Sequence, residues 1–175
     1  MTTQPIMESG MTFGPYPPGH CFYIEQSTLY KSIEQNIKMA EFLLLRPQTA
    51  HRPEMVLVIE AKKSSPRPET QPNFDDFITE IQEKLSNALA LGIAACLKRH
   101  QTAVAEIPMP FQNLNLATTI FQLVLVINGH PEAWLPPLQE ALNQAFYVTR
   151  KIWALPATPV VVMNHTIAKE YGLIS

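Results

Sequence analysis

Two glutamates stand where the chain has least use for charge. Glu41 lies in Met39-Ala40-Glu41-Phe42-Leu43-Leu44 and Glu60 in Val58-Ile59-Glu60-Ala61-Lys62, both within strongly apolar segments. An ionised carboxylate is costly to desolvate unless something compensates, so acids in such runs call for a partner. If the two segments are neighbouring strands, their carboxylates converge at one end of a sheet and offer hard oxygen ligands to Mg²⁺, with the Ala61 carbonyl as a third. Lys62 shares the Glu60 face of its strand, because side chains alternate with period two. Two acids, a divalent cation and an ammonium suit phosphodiester hydrolysis: the cation polarises a phosphoryl oxygen and lowers the pKa of a bound water, while the ammonium orients that water or neutralises developing charge. Chance alone supplies about 0.6 Glu-x-Lys tripeptides in a chain of this composition. The weight of Glu60-Ala61-Lys62 therefore rests on its place at the end of an apolar run, with a second acid upstream.

Other residues compete for roles. Glu25, in Phe22-Tyr23-Ile24-Glu25, is close enough in sequence to add a third acid, though it reads as a solvent-facing strand residue. Lys84 follows Glu80 by four residues, the spacing of a surface ion pair on one helix. Lys63 and Arg67 lie just past the Glu-x-Lys segment, in reach of a phosphate backbone or in a solvated loop. The five histidines are scattered without ligand spacing, which argues against zinc. No glycine-rich phosphate loop or dinucleotide fingerprint is present.

These residues need a sheet to hold them. Residues 20–26 and 38–46 read as strands, Pro47 ending the second, and Met55 to Lys62 is a stronger one stopped by Ser64-Ser65-Pro66. Phe74 to Arg99 carries apolar residues at helical spacing, with Asp75 and Asp76 at its start and Lys98, Arg99 and His100 at its end, as the helix dipole favours. Phe121 to Ile127 is an almost wholly apolar strand suited to an interior position. Leu135 to Trp153 reads as one helix with Pro136 and Pro137 in its first turn and a stripe of Leu138, Leu142, Ala145, Thr149 and Ile152. Residues 159–163 make a last strand, and residues 166–171 a short helix stopped by Gly172. Strands joined by short connections pair antiparallel and those separated by a helix pair parallel, so the expected fold is α/β, a mixed β-sheet flanked by α-helices. Residues 1–19 read as an irregular N-terminal arm, and residues 20–175 as a single domain.

Composition bounds the rest. The 175 residues are 46% hydrophobic and 16% charged, enough for one substantial core. The net charge of −2 excludes a protein that grips nucleic acid or an anionic membrane by bulk charge alone. Two cysteines, Cys21 and Cys96, are too few for a disulfide framework and read as reduced thiols. No secretory leader or apolar run of spanning length appears, so the expected location is cytoplasmic, with no membrane as partner.

An acid on one strand, a short excursion, Glu-x-Lys on the next apolar strand and then a long amphipathic helix resembles the PD-(D/E)XK nuclease superfamily. The segments that carry the resemblance are Ala40-Glu41-Phe42-Leu43-Leu44 and Val58-Ile59-Glu60-Ala61-Lys62, and the element order over about residues 20–163 is similar too. Position 40 is Ala rather than Pro, and Glu41 stands where the family usually has Asp. The resemblance implies a restriction-endonuclease-like fold, Glu41 and Glu60 as metal ligands with the Ala61 carbonyl, and Lys62 as the catalytic lysine. It further implies Mg²⁺, with Mn²⁺ as substitute, and nucleic acid as partner, DNA before RNA, and it allows a homodimer. Because the superfamily includes degenerate sites, the same fold as a catalytically silent nucleic-acid-binding or protein-interaction module is the alternative.

Overall fold

The computed structural model describes residues 4–175. Ile6–Glu8 (β1) and Met11–Phe13 (β2) form an antiparallel hairpin. Its two-residue turn, Ser9-Gly10, has φ of 51° and 76°. Positive φ at both positions matches the twist of the flanking strands, and Gly10 adopts it without a Cβ penalty. The hairpin differs from the irregular arm expected for residues 1–19, of which residues 1–3 lie outside the described residues. Alternation explains the difference: Met11 and Phe13 point inward and are buried, and Thr12 points outward.

Cys21–Phe22 (β3) is shorter than the strand expected over residues 20–26. After it the chain turns through a 3-10 helix, Ile24–Gln26, into a single helical turn, Thr28–Lys31 (α1). Ser27 drives that change. Its Oγ accepts from the Tyr30 amide at 3.0 Å, capping α1, and donates to the Ile24 carbonyl at 2.6 Å. Glu25 therefore sits on a helical turn rather than on a strand.

Phe42–Arg46 (β4) and Met55–Lys62 (β5) then lead into Asn73–Cys96 (α2), a helix of 24 residues. A short turn of helix, Met109–Gln112 (α3), precedes Ile120–Ile127 (β6). The segment expected as one helix over residues 135–153 divides into Leu135–Ala145 (α4) and Tyr147–Trp153 (α5). The break lies at Phe146, fully buried with φ of −90° and ψ of 7°. Beyond it the expected stripe fails, since Ile152 is 72% exposed. Val160–Asn164 (β7) and His165–Glu170 (α6) complete the chain.

The result is α/β: a five-stranded mixed sheet of order β3-β4-β5-β6-β7 flanked by helices. The pairs β3/β4 and β4/β5 are antiparallel, and β5/β6 and β6/β7 are parallel. One face of the sheet, bearing Leu43, Val56, Val58 and Leu125, is covered by α2 and α4. Of the apolar stripe expected on α2, Ile78, Ile81, Leu85, Ala88, Leu89, Gly92 and Ala95 are buried, whereas Phe77 is only partly buried and Phe74 is buried in its stead. At Gly92 helix and sheet come so close that a Cβ would lie 2.7 Å from Leu43 Cδ1. The other face, bearing Phe42, Leu57, Ile59 and Val124, is covered by Met11, Phe13, Ala168 and Leu173. Because both faces are covered, β5 and β6 are nearly continuous runs of buried apolar residues, and a carboxylate on either must find its own compensation. Among the described residues no helix is long and apolar enough to cross a membrane.

Candidate active site

Phe42 pairs with Ile59 across β4 and β5, and extending this antiparallel register by one step puts Glu41 opposite Glu60. The Glu41 amide donates to the Ile59 carbonyl at 3.0 Å, fixing that juxtaposition, and both side chains lie on the α2 face. The Glu41 carbonyl accepts from the Glu25 amide at 3.2 Å, so the same residue anchors the turn that carries Glu25. The hairpin supplies a fourth acid, Glu8. Its turn is tied to the parallel strands by Ser9 Oγ, which donates to the Ala61 carbonyl at 3.0 Å, and by Asn128 Nδ2, which donates to the Ser9 carbonyl at 3.1 Å. This holds Glu8 against the sheet, where Tyr23 donates its hydroxyl to Glu8 Oε1. Glu8, Glu25 and Glu41 each bring one carboxylate oxygen within 4.8 Å of the other two.

Helix α2 supplies one cation, Lys84, and one further acid, Glu80. Lys84 Nζ lies 3.0 Å from Glu60 Oε1, and Lys62 Nζ lies 3.4 Å from the same oxygen while also pairing with Glu80. The pair expected between Glu80 and Lys84 is thus exchanged for two cross-links from helix to strand. The physical reason is burial: Glu60 is 0% exposed, and a carboxylate there gains more from an ammonium than a surface acid does. Even so, Glu60 Oε2 and Glu41 Oε2 are buried without a hydrogen-bond partner.

Electrostatics follow from this crowding. Burial pushes the Glu41 carboxyl up to about 9, helped by its hydrogen bond with Glu25 and by the charges of Glu60, Glu25 and Glu8. Glu8 is raised by burial and then by Glu25. Burial raises Glu60 too, against the opposing pull of Lys84 and Lys62. For Lys84, burial acts to lower the pKa, but Glu60, Glu41 and Glu25 outweigh it and hold the ammonium above its ordinary value. Lys62 lowers Glu80. Five carboxylates in all, Glu8, Glu25, Glu41, Glu60 and Glu80, gather around two ammonium groups.

The donor set fits a hard divalent cation. Carboxylate oxygens from three separate elements converge, and a buried carboxylate oxygen without a donor is costly unless a proton or a cation meets it. The oxygens that lie together are those of Glu8, Glu25 and Glu41, with Glu60 adjacent to Glu41 across the strand pair. Of the residues singled out from sequence, Glu41, Glu60 and Lys62 are brought together, and the Ala61 carbonyl carries the Ser9 hydroxyl. Glu25 and Lys84, read as surface residues, belong to the cluster. Glu8 joins them without standing in an apolar run, and its signal in the sequence is Ser-Gly between Ile6-Met7-Glu8 and Met11-Thr12-Phe13, a hairpin turn that folds it back. The cysteines stand apart: both are free, and burial pushes Cys21 up to about 12 and Cys96 to about 11, the reverse of an activated nucleophile.

Compared with protein-family models, curated proteins and solved structures, the chain shows no match.

Proposed function

We propose that this chain is a restriction-endonuclease-like protein of the PD-(D/E)XK type that hydrolyses phosphodiester bonds of nucleic acid with Mg²⁺ or Mn²⁺. The observation that carries the reading is the side-by-side placement of Glu41 and Glu60 on adjacent strands, each with a buried, unpartnered carboxylate oxygen, beside Lys62. Its support at the level of the fold is the mixed five-stranded sheet with the acid and Glu-x-Lys strands adjacent and a long helix packed across them.

Glu41, with Glu8 and Glu25, would hold the cation, and Glu60 would complete its surroundings from the neighbouring strand. When bound, the cation supplies Lewis acidity toward a phosphoryl oxygen and toward a water. Glu41 gives up its proton on binding, since burial and three neighbouring acids keep it protonated otherwise. Lys84 holds Glu60 in place through Oε1. Lys62 is the more accessible lysine of the two, its side chain 23% exposed against 16% for Lys84, and its Nζ is the group positioned to meet negative charge developing on the scissile phosphate.

One observation favours a catalytically silent binding module instead. Glu60 is sealed from solvent and clamped by two lysines, which already neutralise it. A cleavage screen separates the two readings, with Mg²⁺ and Mn²⁺ on single-stranded, duplex and branched DNA and on RNA, and with Glu60→Ala as control. Divalent-dependent cleavage lost in Glu60→Ala supports the nuclease. Absence of cleavage on every substrate, together with retained Mn²⁺ binding, supports the silent module.

A further inference from the structure

The candidate site ends at Lys62, whose carbonyl accepts from the Asn128 amide at 2.8 Å. From this point β5 and β6 run out together into two loops, and the loops meet again at a second feature. Ser65 Oγ lies 3.4 Å from His130 Nε2, and the Arg67 guanidinium lies over the Trp134 ring, 4.3 Å from its centre. His130 meets the same indole edge-on, with ring centres 5.4 Å apart. Between these groups is a cavity of about 230 Å³ lined by Pro66, Arg67, Glu69, His130, Trp134 and Leu138.

We propose that this cavity is a stacking site for one unpaired base of a single-stranded nucleic acid whose backbone passes the Glu41–Glu60–Lys62 site. The proposal rests on the nuclease reading for what lies next to it. Size is the first argument: the cavity is smaller than the roughly 300–1,000 Å³ of sites for drug-sized ligands and suits a single planar ring system. Surface chemistry is the second. Trp134 remains 42% exposed although it sits beside a buried histidine, and an exposed indole at the mouth of a cavity walled in part by Pro66 and Leu138 is a stacking platform that accepts any base. Burial lowers the His130 pKa, so its ring is neutral at pH 7 and offers a hydrogen-bonding edge without repelling or attracting charge. Its position is fixed by Asn164, whose Nδ2 donates to the His130 carbonyl at 3.0 Å.

Charge and reach point the same way. The segment Lys62-Lys63-Ser64-Ser65-Pro66-Arg67 carries three cations and no acid, in a chain whose net charge is −2. Ser65 is three residues past Lys62, at most about 10 Å of extended chain. At the ~3.4 Å rise of a stacked nucleotide that distance is about three nucleotides. Magnitudes decide who holds the indole face. An exposed cation–π contact is worth about two- to fivefold in an equilibrium constant, whereas a base stacked on an aromatic ring is worth about five- to 150-fold. A base therefore displaces the Arg67 guanidinium from Trp134 and frees it to pair with the adjoining phosphate.

Fluorescence tests the proposal in the full chain carrying Trp153→Phe, which leaves Trp134 as its only tryptophan, with chelator present so that nothing is cleaved. A short oligothymidylate is expected to quench Trp134 and to bind more tightly than a duplex of equal length. Trp134→Ala should weaken binding of fluorescein-labelled oligothymidylate, followed by anisotropy, about tenfold or more, and Trp134→Phe should recover most of it. Melting temperature checks that both variants fold. Glu83→Gln, on α2 where it pairs with Lys38 and lines no part of the cavity, should leave oligothymidylate affinity within about twofold. Absence of quenching, equal binding of duplex and single strand, or unchanged affinity in a folded Trp134→Ala protein each overturns the proposal. If affinity is unchanged in Trp134→Ala while Glu60→Gln abolishes cleavage, the base site falls and the nuclease stands. Quenching without any divalent-dependent cleavage leaves the base site standing and removes the nuclease.

Discussion

At the scale of single residues, protonation at Glu41 governs the site. Its carboxyl holds a proton up to about 9 in the folded, metal-free chain, but releases it near 4.5 once unfolded. Between those values the folded state binds more protons, so this group's contribution to stability is complete below about 4.5 and declines as pH rises toward about 9. The ceiling is about 1.4 kcal/mol per pH unit. Glu41→Gln keeps the shape and removes the titration. Thermal melts in chelator from pH 5 to 9 should therefore show Glu41→Gln gaining on wild type as pH rises, and parallel curves would remove Glu41 from the buried cluster. Lys62 calls for a kinetic test. Lys62→Ala should lower turnover by about 10²–10⁴-fold at saturating Mn²⁺ and leave the fold intact, because the side chain is partly exposed and its loss opens no core cavity. Lys63→Ala removes the same charge from the opposite side of the chain, where the residue is exposed. Equal rates for the two variants would end the catalytic assignment of Lys62.

At the scale of elements, placement of the acids depends on how tightly strand, helix and hairpin fit. Val58 is wholly buried between Leu43 and Leu123 on β4 and β6, so Val58→Asp should cost on the order of 3 kcal/mol or more, read as a large fall in melting temperature. Gly10 tests the hairpin. Its φ of 76° and the Asn128 amide group 3.0 Å from where a Cβ would stand make Gly10→Val strained and crowded at once. We expect a loss of roughly 1–3 kcal/mol, together with weaker Mn²⁺ binding because Glu8 is splayed from Glu25 and Glu41; calorimetric titration reads the second effect. The two elements differ in how far the sequence foretold them. Met55 to Lys62 is legible as a continuous apolar run because both faces of the sheet are covered, and residues 73–96 are legible because burial of one helix face imposes a period of 3.6. The hairpin was hidden because three-residue strands are too short to show a period, and the proline-rich stretch after it dominates the local composition. Lys84 was misplaced for another reason: spacing along a helix finds Glu80, whereas only the sheet register brings Glu60 under it.

At the scale of the whole molecule, charge is distributed against its average. The chain carries a net −2, yet one small volume between β4, β5, α2 and the hairpin gathers five carboxylates and two lysines. Folding brings these acids together from positions 8, 25, 41, 60 and 80, so repulsion among them acts only on the native state, and a cation that bridges them acts on the native state too. Divalent metal should therefore stabilise the fold by mass action. At a concentration a hundred times Kd the gain is about 2.7 kcal/mol, or roughly 5–10 °C in melting temperature for a domain of this size. Scanning calorimetry with Mn²⁺, set against NaCl of equal ionic strength, separates a bound ion from screening. Screening relieves surface repulsion whatever the ion, but reaches a wholly buried carboxylate such as Glu60 poorly. Wild type should rise with Mn²⁺ and stay nearly level in NaCl. Glu8→Gln, Glu25→Gln and Glu41→Gln should each blunt the Mn²⁺ response, since each removes one anionic oxygen from the shared group, whereas Glu83→Gln, on α2 and paired with Lys38 outside the cluster, should leave it intact. A Mn²⁺ response of equal size in wild type and in all three cluster variants would place the ion elsewhere and leave the buried acids satisfied by protons alone.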